Sequence, residues 1–383
     1  MDKYSIFVYI FIFGYCRSRE MFEQDRIRRD ITAYLLNENR YDATIVPELD
    51  EDFPTNVTVQ ILIRNMHSIN EVAMEYSVGI YLRMWWRDTR LDYREITNTT
   101  YLQKLELDTR QIDKVWQPNI YFDNEKQAFV HKVTTTNRLM HIYRDGTVVY
   151  SIRLSLTMSC TMSLHYYPFD AQTCPLVIQS FCYTTDNIRL QWHGTNPVKI
   201  SKLQMPQYAL LEDETETSSY DLEYEETGTF STLEVELSLS RKIGYYVLQV
   251  FTPCIFLVVL SWVSFWVDPD AVPARVSLGV LCVLTMTTQS AVVHQSLPPV
   301  SYVKAIDVWM FVCLFFVFAS LLEFACVNVI LQKKVDSEEK KTFEASTKTQ
   351  REKALEVDRI SMYLFPSTFI VFAFIFFMVS GLA

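Results

Sequence analysis

The chain has 383 residues, is 49% hydrophobic and 14% aromatic, and carries a net charge of −10. That apolar content excludes a disordered chain, and its concentration beyond Ile243 in four long runs excludes a purely soluble protein. The acidic balance argues against a nucleic-acid partner, which selects basic surfaces.

Residues 1–18 pair a charged start at Asp2-Lys3 with a run almost free of polar side chains from Tyr4 to Tyr15, then Cys16-Arg17-Ser18. This reads as a secretory signal. About a dozen apolar residues are too few for the ~20 a bilayer core needs. Residues 19–242 then form an exported domain. Ile27, Ile31 and Leu35 recur at helical spacing and predict one short helix over 25–38. Alternation of apolar and polar residues predicts half-buried strands at 57–64, 75–83 and 147–156. An Asp145-Gly146 hairpin turn precedes the third. Many such strands in about 220 residues predict an all-β sandwich. Asn56 and Asn98 head glycosylation sequons.

There are eight cysteines. Cys16 leaves with the signal, and Cys254, Cys282, Cys313 and Cys326 fall in apolar runs as packing residues. Cys160, Cys174 and Cys182 remain outside, an odd number that leaves one thiol unpaired. Closing the 15-residue interval from Cys160 to Cys174 would contribute about 3 kcal/mol by loop entropy. His165 inside that interval raises a metal site as the rival, but no second ligand cluster has metal spacing. Glu212, Asp213, Glu214, Glu216, Asp221, Glu223, Glu225 and Glu226 make the following stretch acidic.

Four spans are expected at 243–267, 273–295, 306–329 and 360–382, within a membrane domain over 243–383. The second carries Ser277, Thr285, Thr287, Thr288, Gln289 and Ser290, which suits a helix with one wet side. With the N-terminal domain outside, the linker 331–359 lies in the cytosol. Its eight Lys/Arg among acids read as a solvated amphipathic helix. No nucleotide loop, zinc motif or nucleophile elbow occurs, and no metal or cofactor is expected.

Thirteen residues between Cys160 and Cys174 enclose Tyr167-Pro168-Phe169-Asp170. With Trp262-Val-Ser-Phe-Trp266, Val272-Pro-Ala-Arg-Val-Ser-Leu-Gly279, Leu284-Thr-Met-Thr-Thr288 and Leu297-Pro-Pro-Val-Ser-Tyr-Val-Lys-Ala-Ile-Asp-Val-Trp309, this resembles the Cys-loop receptors, the pentameric ligand-gated ion channels. Within them it is most similar to the anion-selective branch, and there to invertebrate glutamate-gated chloride channel subunits. The resemblance implies an extracellular β-sandwich, a four-helix transmembrane bundle, a Cys160–Cys174 disulfide, and a homo- or heteropentamer with four further subunits. It implies a place in the lipid bilayer of the plasma membrane, at a synapse, with chloride as the permeant ion.

In that family the second span lines the pore. Ser277, Leu281, Leu284, Thr288 and Gln295 share one helical face. It bears no carboxylate, where cation channels commonly place acidic rings. Pro273 suits a first helical turn, so Pro273-Ala274-Arg275 would aim positive helix ends at the inner mouth. Arg275 would add fixed charge there or anchor the helix end. Leu284 would form a hydrophobic gate. Leu281 replaces an expected Thr and would form a second leucine ring.

The resemblance places Arg64, Arg83 and Ser151 on one side of an intersubunit ligand site, where arginine forks match carboxylates. It places Tyr121, Ser180, Phe181, Thr227 and Phe230 on the other, where rings would surround an ammonium. Phe181 and Phe230 replace tyrosines. Glutamate is the favoured transmitter. The lysine absent near Ser201, the missing second disulfide and the acidic stretch keep other agonists open, while Gln179, at a position where many GABA-binding subunits have Glu, weighs against GABA. The alternatives are GABA, glycine, a biogenic amine, protons, or a modulatory subunit that binds nothing. Asp170, Arg241 and Lys304 are expected to couple binding to the gate, with the Met66–Asn70 turn and the Ser296–Lys304 segment beside them. Phe311 stands where relatives carry the glycine that admits a macrocyclic lactone, so ivermectin sensitivity should be weak.

Overall fold

The computed structural model describes residues 23–48, 53–96, 102–332 and 340–381. The expected signal and Asn98 lie outside these. A helix over 23–35, α1, buries Ile31 and Leu35 and ends slightly earlier than its apolar spacing suggests. The cause is local: Asn37 Oδ1 accepts from the Asn39 N–H at 3.0 Å and turns the chain.

Fifteen strands follow among the described residues. They are β1 (Thr55–Asn70), β2 (Glu75–Arg87), β3 (Lys104–Leu107), β4 (Ile120–Phe122), β5 (Glu125–Val130), β6 (Lys132–Val133), β7 (Thr135–Thr136) and β8 (Arg138–Tyr143). Then come β9 (Thr147–Ser159), β10 (Ala171–Ser180), β11 (Ile188–Trp192), β12 (Val198–Ile200), β13 (Tyr208–Leu210), β14 (Glu216–Tyr224) and β15 (Gly228–Arg241). One sheet runs β11-β1-β2-β9-β8-β3, with β12 on β1 and β5 on β9. The other runs β13-β15-β10-β4, with β14 on β15, and β6 pairs with β7.

Period-two patterning explains the packing of these sheets. Val57, Val59, Ile61 and Ile63 of β1, Val78, Ile80, Leu82 and Met84 of β2, and Leu233, Val235, Leu237 and Leu239 of β15 are all buried in one core. The expected sandwich is present, and Cys160 is bonded to Cys174. β1 has an irregularity at Arg64: Ile63 faces Ile80, yet Asn65 already faces Gly79. The extra residue leaves both Arg64 and Asn65 exposed. Gly79 leaves room opposite for the Asn65 side chain, which a Cβ there would force to move.

Among the described residues, four helices are long and apolar enough to cross a membrane. They are α2 (Gly244–Trp266), α3 (Val272–Gln295), α4 (Ala305–Gln332) and α5 (Lys340–Gly381). In α2 the turn Val247–Phe251 is π-helical. Pro253 follows it and has no N–H to give the Gln249 carbonyl. Gln289 of α3 supplies the missing donor, its Nε2 lying 3.0 Å from that oxygen. Nothing in 340–359 breaks a helix, since the stretch has neither Gly nor Pro. From Lys340 to Gly381 the linker and the fourth span are therefore one continuous helix.

Candidate functional site

Strand register assembles the first half of the site. Gln60, Arg83, Ser151 and Leu139 stand side by side across β1, β2, β9 and β8. Arg83 is half-buried, and its Nη1 donates to Gln60 Oε1 at 3.3 Å. That contact holds the guanidinium beside the buried Ser151 and leaves its other donors open. Arg64 lies four residues beyond Gln60, about 13 Å along the strand at ~3.3 Å per residue. It is exposed and has no hydrogen-bond or ion-pair partner among the described residues. The arginines thus share one face, but on different rows.

The second half lies on the other sheet. Tyr121, Gln179, Thr232 and Tyr220 form one row across β4, β10, β15 and β14. Tyr121 Oη lies 2.5 Å from Gln179 Oε1 and 3.1 Å from Asp123 Oδ1. Its one proton serves one acceptor at a time. Burial and the Asp123 charge push the phenol up to about 12. Phe181 is exposed and stands edge-on to Tyr121 at 5.3 Å. Tyr224 stands edge-on to Phe230 at 5.9 Å, with its Oη 3.5 Å from Gln179. Thr227 is exposed in the β14–β15 turn, beside Gly228 at φ +99°. Ser180 differs from the expected contact: it is buried, and its hydroxyl donates to the Tyr183 carbonyl at 2.7 Å.

Sequence reasoning missed Gln60, Asp123 and Tyr224 as members of these faces. Strand parity signals Tyr224, which alternates with Tyr220; the other two need the register. Arg83 and Ser151 lie on one sheet, and Tyr121, Gln179 and Phe230 on the other.

Arg241 is the hub where sandwich meets helices. Its Nε and Nη2 donate to Asp170 at 2.7 and 3.1 Å, and its Nη1 to Glu71 at 2.5 Å and Tyr246 at 3.2 Å. The guanidinium also lies 4.5 and 4.6 Å from the rings of Tyr167 and Tyr208. The side chain is fully buried, and the paired carboxylates hold its protonated form more firmly than usual despite the burial. Asp170 is placed as expected. Glu71, one residue past the expected turn, is the second acid.

The disulfide loop grips the third span separately. The Tyr302 ring stacks on His165 at 4.0 Å, and its Oη accepts from the Leu164 N–H at 3.0 Å. His165 and Tyr167 carbonyls accept from the N–H groups of Ala305 and Ile306 at 2.8 and 3.1 Å. The loop thereby caps otherwise unsatisfied donors at the start of α4. Phe169 reaches Phe251 of α2 at 5.9 Å and Phe377 of α5 at 6.2 Å. Lys304 does not join Arg241: it is buried, with Nζ 3.2 Å from Asp307.

On α3, residues Ala274, Ser277, Leu281, Leu284 and Thr288 are exposed, and Pro273 opens the helix. Arg275, Gly279, Cys282 and Met286 are buried on the opposite face. Arg275 therefore contradicts its expected pore position. The residue is 1% exposed, and its guanidinium forms two bonds to Asp358 of α5 at 2.9 and 2.8 Å. It also donates to the Val267 carbonyl at 3.0 Å. Its charge belongs to the bundle, and it anchors the helix end.

Residues 28–243 match the family model described as the neurotransmitter-gated ion-channel ligand binding domain, and residues 250–351 match the neurotransmitter-gated ion-channel transmembrane region. The chain belongs to the neurotransmitter-gated ion-channel family, a family of ligand-gated channels and not of enzymes. Four spans and an extracellular ligand-binding domain fit a multi-pass plasma-membrane protein that assembles from several subunits.

Proposed function

We propose that this chain is a subunit of an anion-selective channel opened by glutamate bound between subunits. The observation that carries the selectivity is the exposed stripe of α3: Ser277, Leu281, Leu284 and Thr288 include no carboxylate. A helix N-terminus at Pro273-Ala274 adds positive potential at the inner mouth without a side-chain charge. Leu284 is the hydrophobic constriction, and Leu281 one turn inward is a second. Glutamate is supported by the Gln60-Arg83-Ser151 row, which offers a carboxylate an arginine fork and a hydroxyl. The opposing rings of Tyr121, Phe181, Tyr224 and Phe230 suit its ammonium.

One observation favours a second reading, an amine agonist without a carboxylate. Asp123 sits 3.1 Å from Tyr121 Oη and could pair a lone cation beside those rings. A transmitter panel on cells expressing this chain separates the two. Glutamate-evoked current that falls with Arg83→Ala supports the first reading. Current evoked by an amine and unaffected by Arg83→Ala overturns it.

A further inference from the structure

We propose that His294 and Asp307 form an acid-sensitive tie between α3 and α4, through which extracellular protons regulate the channel. The tie requires that the chain form a channel, and depends on neither glutamate nor chloride.

Helix α3 ends at Gln295, so His294 stands in its last turn. The His294 side chain is half-exposed, and its Nδ1 lies 3.7 Å from Oδ1 of Asp307, in the first turn of α4. The two oxygens of Asp307 differ. Oδ2 accepts from the Lys304 N–H at 3.1 Å, as an acid three residues into a helix does, and meets Lys304 Nζ at 3.2 Å. Oδ1 is buried and accepts no hydrogen bond among the described residues. Buried acceptors ordinarily have a donor. His294 can supply one: a neutral imidazole carries N–H on one nitrogen, and a protonated ring carries it on both. From 3.7 Å, a shift of about 0.9 Å reaches the ~2.8 Å of a charge-assisted bond. Histidine changes charge between about pH 5 and 8.

Helices α2 and α4 pack against α3. Near this end they bring Tyr245 and Tyr246 of α2, Asp307 of α4 and Lys304 just ahead of it. Tyr302 of the connecting segment and His165 of the disulfide loop stack on each other. Cys254 and Cys313 lie deeper, as does Glu323 toward the inner end. On α3 itself the other ionisable side chains are Arg275 and Cys282. Lys304 opposes a positive charge on His294, while Asp307 and the carbonyl end of α3 favour it.

The same first turn of α4 is held by the disulfide loop, whose His165 and Tyr167 carbonyls accept from the Ala305 and Ile306 N–H groups. The contact therefore lies on the extracellular side. Acid fastens the end of α3 to the turn that the sandwich already grips. Protons then act as any ligand does: they favour the gating state that binds them more tightly. The tie is present on the acid side and is lost as pH rises.

The test compares the purified full-length chain at about pH 5.5 and about pH 7.5, as wild type, His294→Gln, Asp307→Asn and the double variant. Asparagine keeps an acceptor for the Lys304 N–H, so the start of α4 survives. At the lower pH each single substitution is expected to lower the thermal midpoint by about 2 °C, and the double variant no further. At the higher pH His294→Gln is expected to match wild type. Additive losses at the lower pH, or equal coupling at both, overturn the tie. Current is the second readout, with any agonist that opens the channel. The same acidification is expected to shift the half-maximal agonist concentration of wild type about 5-fold, and that of His294→Gln and Asp307→Asn little. A full shift in His294→Gln overturns the regulatory role. The thermal readout needs no agonist, so a channel that ignores glutamate leaves it intact.

Discussion

Arg275 of the second span and Asp358 of the fourth, 83 residues apart in the chain, hold each other in a two-pronged ion pair inside the bundle. The pair ties the first turn of α3 to α5. Removing one partner strands a buried charge, at a cost of about 3–5 kcal/mol. Arg275→Ala is therefore expected to abolish most surface expression, measured by biotinylation. Asp358→Glu, which keeps the charge, is expected to retain channels whose chloride-to-sodium permeability is unchanged. A selectivity shift in Asp358→Glu would mean that Arg275 does face the pore.

Arg241 joins Glu71, Asp170 and Tyr246, so it links the sandwich to the first span through three different segments. Arg241→Ala is expected to eliminate agonist-evoked current. Tyr302→Ala removes only the stack on His165 and one hydrogen bond. It is expected to reduce maximal current while leaving agonist binding, followed by radioligand displacement, near wild type. Intact current in both variants, with normal surface protein, would reject the coupling role.

Arg83 and Ser151 stand in one row, and a hydrogen bond to a charged group contributes about 1.5–3 kcal/mol. Arg83→Ala is expected to raise the half-maximal glutamate concentration at least ~10-fold, and Ser151→Ala by less. Ser180→Ala should change sensitivity little, since that hydroxyl points to the Tyr183 carbonyl. Equal sensitivity in wild type and Arg83→Ala would remove the arginine from the site.

Leu281 and Leu284 are each 61% exposed on the face opposite Arg275. Two leucine rings oppose wetting more than one. Leu281→Thr is expected to raise single-channel conductance or open probability, read from single-channel recordings. No change in either would mean that Leu281 stands clear of the conduction path.

Phe311 is 70% exposed on the third span. Phe311→Gly is expected to make the channel activatable by low concentrations of ivermectin, with the unsubstituted chain insensitive. Robust activation of the unsubstituted chain would contradict the steric argument.

Local pattern and long-range pairing divide what the sequence made legible. Two-residue alternation revealed β1, β2 and β9, and apolar run length revealed the spans, because each depends on neighbours in the chain. Helical spacing grouped Ser277, Leu281, Leu284 and Thr288 correctly. The same spacing sets Arg275 about 200° from Ser277, so its burial was readable even though a family-like position suggested the pore. Other features needed partners distant in sequence. The irregularity at Arg64 shifts the β1–β2 register by one residue, so that Gln60 and not Ile61 stands opposite Arg83. Glu71, Asp358 and the His165–Tyr302 stack meet their partners through tertiary packing that no periodicity encodes.

The central claim is tested most directly by the reversal potential of agonist-evoked current in cells expressing this chain alone, as external chloride is replaced by an impermeant anion. The account predicts a reversal potential that follows the chloride equilibrium potential and ignores replacement of sodium. A reversal potential that moves with sodium or potassium, and not with chloride, would contradict it.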